Sequence, residues 1–152
     1  MNKQMICTAV GAVGSFIASI FGGWDTALAT LLIFMAVDYI TGLLVAGVFH
    51  ASPKSENGAL ESKAGFKGLI RKGLVLVVIL VACRMDMLLG VNYIRDAACI
   101  AFIVNELISM VENFGLMGVP FPEPIKEAIE LLQKRVKSNE QELDKYERGI
   151  RI

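Results

Sequence analysis

CIAFIVNELISMVENF, residues 99–114, is an apolar run interrupted by Asn105, Glu106, Ser109, Glu112 and Asn113. At 3.6 residues per turn, Asn105, Ser109, Glu112 and Asn113 stack on one helical face, with Glu106 at its edge. Alone, this would be an amphipathic helix of a soluble protein. The chain around it is too apolar for that reading: hydrophobic residues make up 55% of its 152 residues and mean hydropathy is +0.57. Carboxylates and amides placed inside a bilayer are costly and turn toward protein or water. The sequence therefore has to supply something for these groups to face.

Outward from this run, four apolar stretches are each long enough to cross a bilayer: about 5–23, 26–49, 73–91 and 97–117. The chain is predicted to be an all-α membrane protein, with a transmembrane region over 1–119 and a cytoplasmic helical tail over 120–152. The first stretch carries no charge and repeats small residues every four positions at Gly11, Ser15, Ser19 and Gly23, with Gly14 and Ala18 as a second row. Such rows let helix backbones approach closely. The partner helix is equally well placed in the same subunit or in a neighbour. A cleaved signal peptide is the weaker reading, because only Lys3 precedes the stretch and no clear cleavage site comes before Trp24. Gly42 and Ala46 offer a further small pair on the second span.

The intervening segment 50–72 is read as a polar loop, since Pro53, Gly58, Gly65 and Gly68 argue against one long helix. Then Pro120, Pro122 and Pro124 end the fourth span, and Pro124 can start a new helix. In the tail, Ile129, Val136, Leu143 and Ile150 recur every seven residues, with Ile125, Leu132, Asn139 and Tyr146 as the companion row. This is an a/d heptad that predicts a coiled coil of low order, with Ile129, Leu132, Val136, Leu143 and Tyr146 as self-association positions. The competing reading is an amphipathic helix lying on the membrane or on its own subunit.

Acidic and basic residues balance at 15 each, so net charge points to no nucleic-acid partner. Their distribution is uneven. Lys3, five Lys/Arg in segment 50–72 and seven between Lys126 and Arg151 fall on one side, against Arg95 alone in the opposite loops. That bias predicts cytoplasmic termini and a cytoplasmic middle loop. The basic segments would then meet anionic lipid headgroups, at roughly 1 kcal/mol per residue near the surface. Three spans, with the first helix outside or at the interface, keep the later orientation. Asp38, Arg84 and Glu106 fall near the centres of their spans, where each would cost roughly 2.5–3.5 kcal/mol if it faced lipid. Arg84 is therefore expected to pair with Asp38 or Glu106. Cys7, Cys83 and Cys99 lie in apolar runs without Cys/His spacing, which predicts buried, unpaired thiols and neither a disulfide framework nor a metal site.

Taken together, several segments resemble the bacteriophage lysis and toxin-secretion holins of Gram-positive bacteria and their phages, which include the holin-like protein encoded beside the large clostridial toxins. The resemblance rests on Asp38-Tyr39-Ile40-Thr41-Gly42, on Ser62-Lys63-x-Gly65-Phe66-Lys67-Gly68-x-x-Arg71-Lys72, and on Asp86. It continues through Asn105-Glu106-x-x-Ser109-x-x-Glu112-Asn113 and Gly118-x-Pro120-x-Pro122. It implies a small, non-enzymatic protein of the bacterial cytoplasmic membrane, without a cofactor, that forms homo-oligomers and then pores. The pores release an endolysin or toxin, with no stable binding of that cargo implied. Under this reading Asp38, Arg84, Asp86, Asn105, Glu106, Ser109, Glu112 and Asn113 are intramembrane or pore-lining groups. Gly11, Gly14, Ser15, Ala18, Ser19 and Gly42 mediate helix packing. Three other classes compete. A small ion channel or transporter subunit would use the same intramembrane charges. An intramembrane enzyme would need Ser109 as nucleophile and His50 as base, but no motif surrounds either. A scaffold without a pore predicts no toxicity on expression.

Overall fold

The computed structural model describes residues 2–54 and 61–150, except for the side chains of 139–140, 142–144, 146–147 and 149–150. Five α-helices and no strand occur among them: α1 (Lys3–Ile20), α2 (Thr26–Gly47), α3 (Ser62–Leu89), α4 (Ile94–Leu116) and α5 (Glu123–Ile150). Local chemistry explains the helix ends. Asp25 starts α2 by accepting a hydrogen bond from the Leu28 amide at 2.9 Å, which satisfies an otherwise unpaired first-turn donor. Gly90, at φ 67°, ends α3 in the left-handed conformation, as a residue without Cβ does most readily. Pro120 and Pro122 lie in the break before α5, and Pro124 sits in its first turn.

α2, α3 and α4 form the bundle, with α4 packed along α2 and against α3. Their buried residues recur at helical spacing, every three, four or seven positions: Leu28, Leu31, Met35, Asp38, Thr41 and Val45 on α2; Ile79, Cys83 and Asp86 on α3; Cys99, Glu106, Met110 and Asn113 on α4. Leu28, Leu31, Met35, Ile79 and Cys99 make the apolar core. The outer face of α3 is also apolar, with Leu74, Val77, Val78, Val81 and Leu88 exposed. A contiguous apolar surface of this kind marks a membrane or protein interface.

Several expectations are corrected. Two helices, α1 and α2, are long and apolar enough to cross a membrane, where four were expected. The segment 50–72 is not a loop throughout, because α3 begins at Ser62 and runs 28 residues. Gly65 and Gly68 lie inside it. They cost roughly 1 kcal/mol each in helix propensity, and packing overrides that cost: a Cβ at either position would touch Tyr39 of α2 at 3.9 Å. Gly58 lies outside the described residues.

α1 has no buried residue, and a Cβ at Gly11 or Gly14 would meet nothing within 4 Å. Its small-residue rows therefore make no close packing within the chain, and Cys7 is exposed. Gly42, by contrast, does serve close packing, opposite Asn113 of α4 at 3.8 Å. Of the tail positions, Ile129 is buried and Leu132 is half-buried against Leu107 and Met110 of α4. These two positions pack within the subunit. Val136 is half-buried, and the side chains of Leu143 and Tyr146 lie outside the described residues.

Candidate functional site

The polar residues of α2, α3 and α4 converge in one network. The Lys72 ammonium donates to Asp38 Oδ2 at 2.8 Å and to Glu106 Oε2 at 2.5 Å. Asn113 Nδ2 donates to Asp38 Oδ1 at 3.1 Å and to Thr41 Oγ1 at 3.0 Å. The Thr41 hydroxyl donates to the Asp38 carbonyl at 3.0 Å. The side chains of Lys72, Asp38 and Glu106 are 14%, 11% and 5% exposed. Burying these charges is tolerable because each carboxylate meets the ammonium and Asp38 also gains the amide. One residue from each helix thus ties the three together at a common level.

Lys72 therefore fills the place expected of Arg84. Arg84 is exposed, and its guanidinium reaches Met87 Sδ at 3.5 Å. The reason is register. Reading the span as 73–91 puts Arg84 near its centre, whereas the helix that forms is centred near Val75 and Leu76. On this longer helix, Gly65, Gly68, Lys72, Leu76, Ile79, Cys83 and Asp86 follow one face at spacings of three or four. That row was the available signal for Lys72, and it was hidden by ending the helix at the glycines.

The remaining predicted residues separate by position. Asp86 is buried, and its two oxygens accept from the amides of Ile94 at 3.0 Å and Arg95 at 3.0 Å. This carboxylate anchors the N-terminus of α4, where both the unpaired amides and the helix dipole favour a negative charge. That is a capping position, and not the pore-lining one expected. On α4, Glu106 and Asn113 turn inward and Ser109 is half-buried, while Asn105 and Glu112 are exposed. The polar stripe is therefore split between two directions.

A second cluster, not anticipated from the sequence, sits at the opposite end of the bundle. Arg95 pairs with Asp25 and with Asp96, and its Nη1 donates to the Phe21 carbonyl at 3.0 Å. It clamps the α1–α2 connection to the start of α4. Gly22 lies beneath it at φ 80°, and a Cβ there would come within 2.9 Å of Cys83 Sγ.

Beside the network, α2 and the first half of α3 enclose a cavity of about 80 Å³. Asp38 and Lys72 lie at one end of its lining, and Ser52, Lys54 and Glu61 at the other. Gly42, Ala46, Ala64, Gly65 and Gly68 line the space between. No group of three or more metal-ligating side chains occurs among the described residues.

The chain matches the family model described as the bacteriophage holin family over residues 15–134. It is 37% identical over 139 residues to an uncharacterized protein of Clostridium perfringens, covering 89% of this chain and 97% of that one. It is 36% identical over 133 residues to an uncharacterized protein of Listeria monocytogenes, covering 87% and 89% respectively. A protein of Bacillus phage phi105 named "Probable holin" is 29% identical over 119 residues, covering 78% of this chain and 80% of its own length. No solved structure matches the chain.

Proposed function

The chain belongs to the bacteriophage holin family, and from that premise we propose that it oligomerises in the bacterial cytoplasmic membrane and forms lesions through which an endolysin or toxin leaves the cell. The match over residues 15–134 carries this reading, because it spans the whole bundle and every member of the Lys72 network. The family is not an enzyme family. Its membership, together with the apolar helices α1 and α2, points to a membrane protein.

In the membrane, α3 and α4 enter together with α2 as one bundle. Their buried Asp38 and Glu106 share the Lys72 ammonium, and the exposed apolar face of α3 meets lipid. The termini and the 50–61 connection lie on the cytoplasmic side, where Lys/Arg predominate. This orientation is supported by the arrangement of the ends: the α1–α2 connection meets the start of α4 at Arg95, whereas Lys54 approaches Glu112 and Leu116 at the other end of α4. α1, with Gly11, Gly14, Ser15 and Ser19 exposed and Ala18 half-buried beside them, supplies the contact between subunits. Asn105 and Glu112, exposed on α4, face water in the assembly with Ser109 between them. The Lys72 network keeps each subunit sealed.

Inducible expression in a bacterium tests this, following viability, membrane potential and release of a cytoplasmic enzyme. Abrupt death with enzyme release is expected. Glu112→Gln delays it. Slow ion leakage without protein release would instead establish a small channel, and the absence of toxicity a scaffold.

A further inference from the structure

We infer that the space between α2 and α3 is a one-sided aqueous inlet that brings water to the Lys72 ammonium from the side where α2 ends and α3 begins. Its volume of about 80 Å³ has room for several water molecules. Asp38, Tyr39, Ser52, Lys54, Glu61 and Lys72 give this lining hydrogen-bonding groups; Asp38 and Lys72 stand within α2 and α3, and Lys54 and Glu61 beyond their ends. An apolar void would stay dry, but a cavity with several hydrogen-bonding partners holds water.

The inlet owes its width to residues that leave the interhelical space empty. Ala46 on α2 and Ala64, Gly65 and Gly68 on α3 all line it, and a Cβ at Gly65 or Gly68 would meet nothing nearer than Tyr39 at 3.9 Å. It ends at the network, because one turn beyond Asp38 the bundle closes on buried Leu31, Met35 and Ile79, which are 0%, 5% and 0% exposed. Water therefore reaches the Asp38–Lys72 pair from one side only. Glu106, which is absent from the lining, is held behind the ammonium. The subunit thus carries a charged centre in contact with one aqueous phase before any assembly takes place, and the ion pair can be hydrated and loosened from that side.

Cysteine accessibility in the full chain tests the inlet. Cys7 is replaced by Ser, and buried Cys83 and Cys99 stay in place as unreactive references. Gly68→Cys and, separately, Ala46→Cys are introduced. At Gly68 a Cβ would meet Tyr39 at 3.9 Å, an ordinary contact. A small, membrane-impermeant cationic thiosulfonate is added outside sealed vesicles or trapped inside them. The inlet requires both new thiols to react from one side, at least about tenfold faster than Cys83 and Cys99. Reaction no faster than these references overturns the inlet, and equal reaction from both sides overturns its closed floor. Melting in detergent at the parent temperature certifies the fold, and Ala46→Cys decides the matter if Gly68→Cys melts lower. Only vesicles that retain a trapped dye throughout labelling are scored, so that lesion formation, read as dye loss, is kept apart from access through the inlet of the single subunit.

Discussion

Replacing Lys72 with Met removes the ammonium that joins Asp38 to Glu106. In the wild-type chain the donor lies 2.8 Å from Asp38 Oδ2 and 2.5 Å from Glu106 Oε2, with all three side chains at most 14% exposed. Removing one partner of a buried ion pair costs about 3–5 kcal/mol, because a charge is left behind without compensation. An exposed pair is worth at most about 1 kcal/mol. At roughly 2–4 °C per kcal/mol for a chain of this size, Lys72→Met lowers the melting midpoint by about 10 °C. Arg71→Met is the control: Arg71 is exposed, so its loss stays within about 0.5 kcal/mol. The assay is thermal unfolding in detergent, followed by circular dichroism. Adding Asp38→Asn and Glu106→Gln to Lys72→Met removes the stranded charges and recovers most of the lost stability, since the penalty lies in the unpaired carboxylates and not in the absent bond. If Lys72→Met and Arg71→Met melt together, the network does not hold the bundle.

Four other perturbations separate structural from assembly roles. Gly22→Ala forces a Cβ into a backbone at φ 80° and within 2.9 Å of Cys83 Sγ; the left-handed conformation alone costs about 1–2 kcal/mol, so this variant melts measurably lower. Gly14→Ala, with nothing within 4 Å, leaves the melting of the subunit unchanged while altering cross-linking between subunits. Asp86→Ala strips the acceptors from the Ile94 and Arg95 amides and costs about 1–2 kcal/mol; amide hydrogen exchange rises first in the opening turn of α4. Ile129→Asp places a carboxylate against Leu107 and Met110, releasing α5 from α4, which limited proteolysis detects as cleavage near 118–123 with the bundle intact.

Much of this protein was legible in its residues. The apolar runs located α1, α2, α4 and the second part of α3, because burial and membrane insertion both demand long unbroken apolar faces, and the heptad pattern located α5. The prolines at 120–124 placed the break before α5, since proline lacks the amide a helix interior needs. The spacing of Asp38, Glu106 and Asn113 marked them as polar groups within apolar helices. The extent of α3 was not legible: Gly65 and Gly68 read locally as breakers, whereas in the fold they lie inside α3 on the face turned toward Tyr39 of α2. The direction of each polar group on α4 was equally hidden, because Glu112 and Asn113 are neighbours in sequence yet point to different surroundings.

Returning to residues 99–114, the sequence by itself determined that this run is helical and that its polar groups need partners, since both follow from periodicity and the cost of burying charge. Only the tertiary structure decided which partner. Eleven additional residues at the start of α3 shift that helix along its neighbours and bring Lys72, not Arg84, level with Asp38 and Glu106. Register between helices depends on where each one starts and on how closely the backbones approach. Those quantities arise from contacts among α2, α3 and α4 together, and no single stretch encodes them.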